Sequence, residues 1–195
     1  MSDRDTGLSA LEAIYSRRAV RSYKGPPLDR ETVLALLDAA VQAPTAVHEE
    51  PWAFTVVQDR GMLRNLSDSA KSAFGEQMRN LPPGQRLRLQ HRLDTPDFNI
   101  FYDAGTLVVI WAKPMGPFVA ADCWLAAQNL MLAACAKGLG TCVIGFAVGA
   151  LNTPEWKAHL GVPAEWTAIA PIIVGAPAGS TPPVPRKKPE IVSWR

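Results

Sequence analysis

Residues 118–145 read FVAADCWLAAQNLMLAACAKGLGTCVIG. From Phe118 to about Lys137 the stretch is apolar nearly all round, the pattern of a helix with protein on every side. Pro117 suits its first turn and Gly138 its C-terminal cap. The most apolar part, Cys123 to Ala136, contains Gln128 and Asn129 and is shorter than the roughly 20 residues that span a bilayer. A buried central helix is therefore predicted, followed by a strand over Thr141 to Ile144. The glycines at 138, 140 and 145 look at first like a phosphate-binding loop. That fingerprint needs a strand before it and a helix after it; here the helix comes first, so no dinucleotide motif is read.

Working outward, Trp52 to Val57 and Thr106 to Trp111 are rich in aromatic and β-branched residues and predict strands. The second is continuously apolar, which predicts burial on both faces. Trp166 to Val174 predicts a fourth strand and Pro154 to Leu160 a short helix. Leu8, Leu11, Ile14 and Tyr15 fall at helical spacing, predicting a helix that ends near Ser16. Asp29 can cap a second helix whose apolar face is Val33, Leu36, Leu37, Ala40 and Val41, stopped by Pro44. Residues 60–93 are polar, with helical stretches broken at Pro82-Pro83-Gly84, and are expected to be the mobile, variable region. The tail from Pro177 is proline-rich and extended. Strands and helices interleave without strict alternation, which predicts an α+β domain: a mixed sheet flanked by helices.

The 195 residues suit one domain, and 48% hydrophobic with 19% charged is a globular balance. A net charge of +2 gives no argument for nucleic acid. Cys123, Cys135 and Cys142 are odd in number, widely spaced and set among apolar residues, so buried reduced thiols are expected and a disulfide framework is not. His48, His91 and His159 have no metal-ligand spacing, so no metal is expected. Met1-Ser2-Asp3-Arg4-Asp5 lacks an apolar run, and a cytoplasmic, membrane-free protein is expected.

Two basic clusters stand out. Arg17, Arg18 and Arg21 place three guanidinium groups just past a helix end, and Arg186-Lys187-Lys188 lies in the tail. Guanidinium groups bind phosphate bidentately and stay charged; a solvated basic helix end and a solvated tail are the plainer readings. Pro44 to Trp52 links a helix to a strand, and Thr45 and His48 there offer hydrogen bonds. No serine–histidine–acid set and no carboxylate pair stands out.

In order, these segments resemble the nitroreductase family over almost the whole chain. The resemblance rests on Arg17-Arg18-Ala19-Val20-Arg21, on Ala43-Pro44-Thr45 and His48-Glu49-Glu50-Pro51-Trp52, and on Phe101-Tyr102-Asp103-Ala104-Gly105. It continues in Ala127-Gln128-Asn129-Leu130, in the run from Gly138 to Cys142, and in Lys187-Lys188-Pro189-Glu190. It implies an intertwined homodimer with FMN at the subunit interface, residues 1–195 forming one domain and 177–195 reaching the partner subunit. Arg17, Arg18, Ala19 and Arg21 would hold the FMN phosphate and the polar edge of its ring, with Arg186 or Lys188 adding to the phosphate. Pro44, Thr45, His48 and Glu50 would approach from the other subunit, and the backbone of Val143, Ile144 and Gly145 would pass the ring. NADH or NADPH would supply hydride, and an electron-poor small molecule such as a nitroaromatic or quinone would accept it, the flavin rather than a side chain carrying the chemistry. Flavin breakdown, dehalogenation and a non-catalytic, flavin-poor protein are the alternatives. Ala19 stands where serine is usual, His48 where asparagine is and Glu50 where glutamine is; Glu50 is expected to pair with an arginine or to point away. Phe74 and Trp124 either line the pocket or simply pack, packing being the plainer reading.

Overall fold

The computed structural model describes residues 7–77 and 98–195, with only the backbone for 75–77. The helices are α1 (Ala10–Ser16), α2 (Arg30–Val41), α3 (Arg60–Gln77), α4 (Val119–Ala136), α5 (Ala147–Leu151) and α6 (Pro154–His159). The strands are β1 (Tyr23–Lys24), β2 (Trp52–Val57), β3 (Thr106–Ala112), β4 (Gly140–Val143) and β5 (Thr167–Pro177), with a single turn of 3-10 helix at Ala46–His48. The expectation of helical stretches over 60–93 is met by α3; the part of that region beyond residue 77, with its expected mobility, lies outside the described residues.

Strand order is β1-β5-β3-β2, with β4 also on β5. Every named strand pair is antiparallel, and one parallel bridge, Ala19 to Thr141, adds the parallel element to a sheet flanked by helices. The continuous apolarity of β3 is explained by its two faces. Leu107, Val109 and Trp111 join a cluster with α3, α5 and the turn at 100–104, whereas Val108, Ile110 and Ala112 join one with α2 and α4. All of β3 is buried. The sheet is thus the middle layer between two helical layers, a three-layer α+β arrangement.

α4 lies against the second face, with Cys123, Ala126, Leu130 and Ala134 fully buried. It is 18 residues long and apolar enough by length and composition to cross a membrane, but here it is the core helix of the sheet. Pro117 precedes its N-cap, Phe118, rather than entering its first turn, and Gly138 follows it at φ +72°. α1 begins later than its apolar spacing implies, leaving Leu8 outside it, because Ser9 caps it and forms a capping box with Glu12. Its apolar residues also face the wrong way for a core: Leu11 is 67% and Tyr15 77% exposed, and only Ala13 is buried. Cys123 and Cys142 are buried as expected, but Cys135 is half-buried, its Sγ 3.5 Å from Ser16 Oγ.

Candidate functional site

At the end of α1 the backbone extends into Arg17, and the Arg18 guanidinium folds back to donate to Tyr15 O at 2.7 Å and Arg17 O at 2.9 Å. Arg18, half-buried, therefore satisfies carbonyls that the helix end leaves without partners. Ala19 and Val20 then run beside β4, where Val20 N–H donates to Thr141 O at 3.0 Å. Gly140 permits this approach: a Cβ there would lie 2.7 Å from the Val20 side chain.

The segment separates two clefts. On one side Arg17 and Arg18 line a cleft of about 260 Å³ with Gly138, Gly140, Thr141 and Thr181 at the start of the tail. On the other, Arg21 lines a cleft of about 310 Å³ with Cys142, Val143, Ile144 and Gly145. Its remaining walls are Ile100 and four aromatic residues. Phe74 meets Phe146 edge-on at 4.4 Å, Phe98 meets Tyr102 edge-on at 5.7 Å, and the Arg21 guanidinium lies 6.0 Å from the centre of the Tyr102 ring. Tyr102 takes φ +53° and Asp103 φ +57°, a left-handed pair at the cleft's edge.

Cys142 sits between the arginines. Burial pushes its thiol up, and the charges of Arg21 and Arg17 act against that shift. Tyr23 is also raised, chiefly by burial, and its hydroxyl donates to Val20 O at 2.8 Å, bracing the same segment. The Ile144 N–H is donated to Pro171 O at 2.8 Å, so Ile144 contributes a wall rather than a donor.

The chain thus brings together Arg21, Val143, Ile144 and Gly145, and beside them Arg17, Arg18 and Ala19. It does not bring the other expected residues to either cleft. Pro44, His48 and Glu50 are exposed and Thr45 is half-buried, and none of them lines these two clefts. Arg186 and Lys188 are exposed on the extended tail. Glu50 is exposed and makes no ion pair among the described residues.

Phe74 packs edge-on against Phe146 as expected and also lines the cleft, whereas Trp124, also expected to pack, is 46% exposed. Phe98, Tyr102 and Phe146 are cleft residues that the sequence reading does not single out; Tyr102 has its signal in the Phe101–Gly105 motif. Asp122 escapes that reading too, although it is the one acidic residue in the most apolar helix. Among the described residues no three His, Cys, Asp or Glu side chains gather as metal ligands.

The nitroreductase family profile matches residues 14–176. A protein of Archaeoglobus fulgidus named for NADH dehydrogenase and NAD(P)H nitroreductase activity is 27% identical over 167 residues, covering 86% of this chain and 84% of its own. The 5,6-dimethylbenzimidazole synthase of Rhodospirillum rubrum is 31% identical over 182 residues, covering 88% of this chain and 84% of its own. Among solved structures, a nitroreductase with bound FMN from Bacteroides fragilis superposes with a TM-score of 0.77 at 26% identity, over 96% of this chain and 98% of that one. With the three-layer fold, the arginine segment beside β4 and a match spanning most of its length, this chain belongs to the nitroreductase family.

Proposed function

We propose that the protein is an FMN-dependent NAD(P)H oxidoreductase that reduces an electron-poor acceptor, a nitroaromatic or a quinone, and works as a homodimer. The observation that carries this reading is the 310 Å³ cleft, in which one permanently charged guanidinium borders a slot walled by four aromatic rings and a stretch of backbone. The slot fits a flat heteroaromatic ring. A Cβ on Gly145 would meet nothing within 4 Å, so that wall is open. Among the described residues no carboxylate or imidazole lines it.

When bound, FMN supplies a ring that takes hydride from NADH or NADPH and passes the electrons on. Arg21 holds the polar edge of the ring and, being charged at every working pH, stabilises negative charge there. Arg17 and Arg18, across the 17–21 segment, face the phosphate side, with Ala19 contributing backbone between them. Val143, Ile144 and Gly145 form the flat wall, and the aromatic residues keep water from the slot. Pro44, Thr45, His48 and Glu50 reach this site from a second copy, as do Arg186 and Lys188. Support comes from their exposure and from an apolar surface that one chain leaves uncovered: Leu11, Ile14 and Tyr15 on α1, with Phe118, Trp124 and Leu125 at α4.

The test is the visible spectrum of the purified protein before and after excess FMN and desalting. The expected result is a retained flavin spectrum that bleaches anaerobically with NADH or NADPH and returns on adding a quinone. Absence of retained flavin would overturn the reading and favour a flavin-poor binding protein. The 31% identity to a 5,6-dimethylbenzimidazole synthase favours one second reading, flavin breakdown. Incubating the reduced, FMN-loaded protein in air separates the two, since only breakdown consumes FMN and yields the benzimidazole.

A further inference from the structure

Between α2 and β2 the backbone is held in conformations that L residues disfavour. Val47 takes φ +47°, His48 +58° and Glu50 +47°, with no glycine to ease them. Val47, β-branched, is 81% exposed, so its own packing does not explain the strain. Within the loop, Glu49 N–H donates to Ala46 O at 3.2 Å. The side-chain anchor from another element is Asp122, whose two carboxylate oxygens each lie 3.3 Å from Ala46 N, 76 residues away in sequence.

Asp122 is 4% exposed and sits in the first turn of α4, where the helix dipole favours a negative charge. Among the described residues its carboxylate has no other hydrogen-bond partner. Its charge is felt locally: burial first, then Asp122, pushes the neighbouring Cys123 thiol up to about 11. A buried carboxylate in so apolar a helix is unfavourable for the core alone. Its placement is explained by what it holds, a strained backbone that turns its side chains outward.

We propose that Asp122 is a positioning residue: its carboxylate fixes the shape of the 45–50 loop and thereby sets how that loop meets the FMN bound by a second copy of the chain. This rests on the homodimer reading above. The loop's strain persists because Asp122 over-determines it, and an acceptor oxygen at this position is what the loop requires.

The experiment compares full-length wild type with Asp122→Ala and Asp122→Asn. Amide hydrogen exchange is read on the FMN-free proteins, and FMN affinity by fluorescence quenching. Asp122→Ala should speed exchange at 44–51 while the β3 and β5 peptides keep their protection. It should also weaken FMN binding about tenfold or more, the factor that corresponds to one hydrogen bond to a charged group. Asp122→Asn, which keeps an acceptor oxygen, should restore both. If Asp122→Ala does not fold, Asp122→Ser, with its shorter side chain, should show the same two changes. Unaltered exchange at 44–51 in the folded variant, or an Asn variant as impaired as Ala, would overturn the proposal. Wild type that takes up no FMN would sink the flavoprotein reading instead, and the exchange data would still decide whether Asp122 holds the loop.

Discussion

Residues 138–145 and residues 44–50 each carry the chain out of a long helix toward a strand, but they are built from opposite materials. After α4, glycines stand at 138 and 140, and the backbone is tied into the sheet by bonds to Val20 and from Ile144 to Pro171. After α2 there is no glycine, three residues sit at positive φ, and the side chains from Val47 to Glu50 are exposed. The first segment makes one wall of a cleft within its own chain. The second gains nothing visible from its own chain for the strain it holds. A glycine-built turn serves the chain's own packing; on the homodimer proposed above, the strained turn of full side chains would serve a contact that the isolated chain lacks.

The largest test of that contrast is Gly145→Phe. Open space surrounds the position and its φ is not strained, so the fold should tolerate a ring there, but the ring would occupy the slot. FMN retention after desalting should be abolished with the melting temperature unchanged. Full retention of FMN would show that the 310 Å³ cleft is not its site.

Gly140→Ala tests the wall from behind. The new Cβ would lie 2.7–2.8 Å from three Val20 side-chain atoms, so the arginine segment must shift. Overpacking of this kind costs about 1–3 kcal/mol. The denaturation midpoint should fall accordingly, and FMN affinity should fall with it because Arg17 and Arg21 move. A stability loss with unchanged affinity would separate the arginines from the cofactor.

For the strained loop the expected sign reverses. A left-handed conformation costs an L residue roughly 1–2 kcal/mol, and glycine's extra freedom when unfolded takes back about 0.5–1 kcal/mol. Val47→Gly should therefore stabilise the dilute single chain by about 0.5–1 kcal/mol, since an 81% exposed side chain loses little packing. It should also weaken self-association, seen as earlier dissociation in a sedimentation dilution series. Unchanged association would remove Val47 from the interface.

The same contrast separates what a sequence discloses from what it hides. β3 and α4 are legible because long, predominantly apolar runs of 7 and 18 residues find their place in a core: β3 is buried throughout, and α4 lays one side on the sheet while Trp124 and Leu125 stay exposed. The orientation of α1 is not: helical spacing says that Leu11, Ile14 and Tyr15 share a face, not whose core that face meets. α5 and β1, at 5 and 2 residues, are shorter than the stretches over which a period can be read. Arg17, Arg21 and Gly145 stand out through motifs of several adjacent residues. Phe98 and Phe146 are single rings joined only by the fold, and the Asp122 anchor spans 76 positions that no local pattern connects.

Glu50→Gln is the smallest and most discriminating change. Glu50 is exposed, sits at φ +47° and has no ion pair among the described residues, so chain stability should move by less than about 0.5 kcal/mol. Its effect on FMN depends on what surrounds the carboxylate in the dimer. Facing solvent, a charge even 4 Å from another is worth only about 1 kcal/mol; paired with an arginine of the second copy, it is already compensated. In both arrangements FMN affinity should change by less than about fivefold, the factor that corresponds to that 1 kcal/mol. A much larger gain in affinity would mean that Glu50 lies unpaired and shielded against the ring, a carboxylate opposing the negative charge that reduction puts there. The strained loop would then act to restrain reduction of the flavin, and its unusual residues would be the means of that restraint.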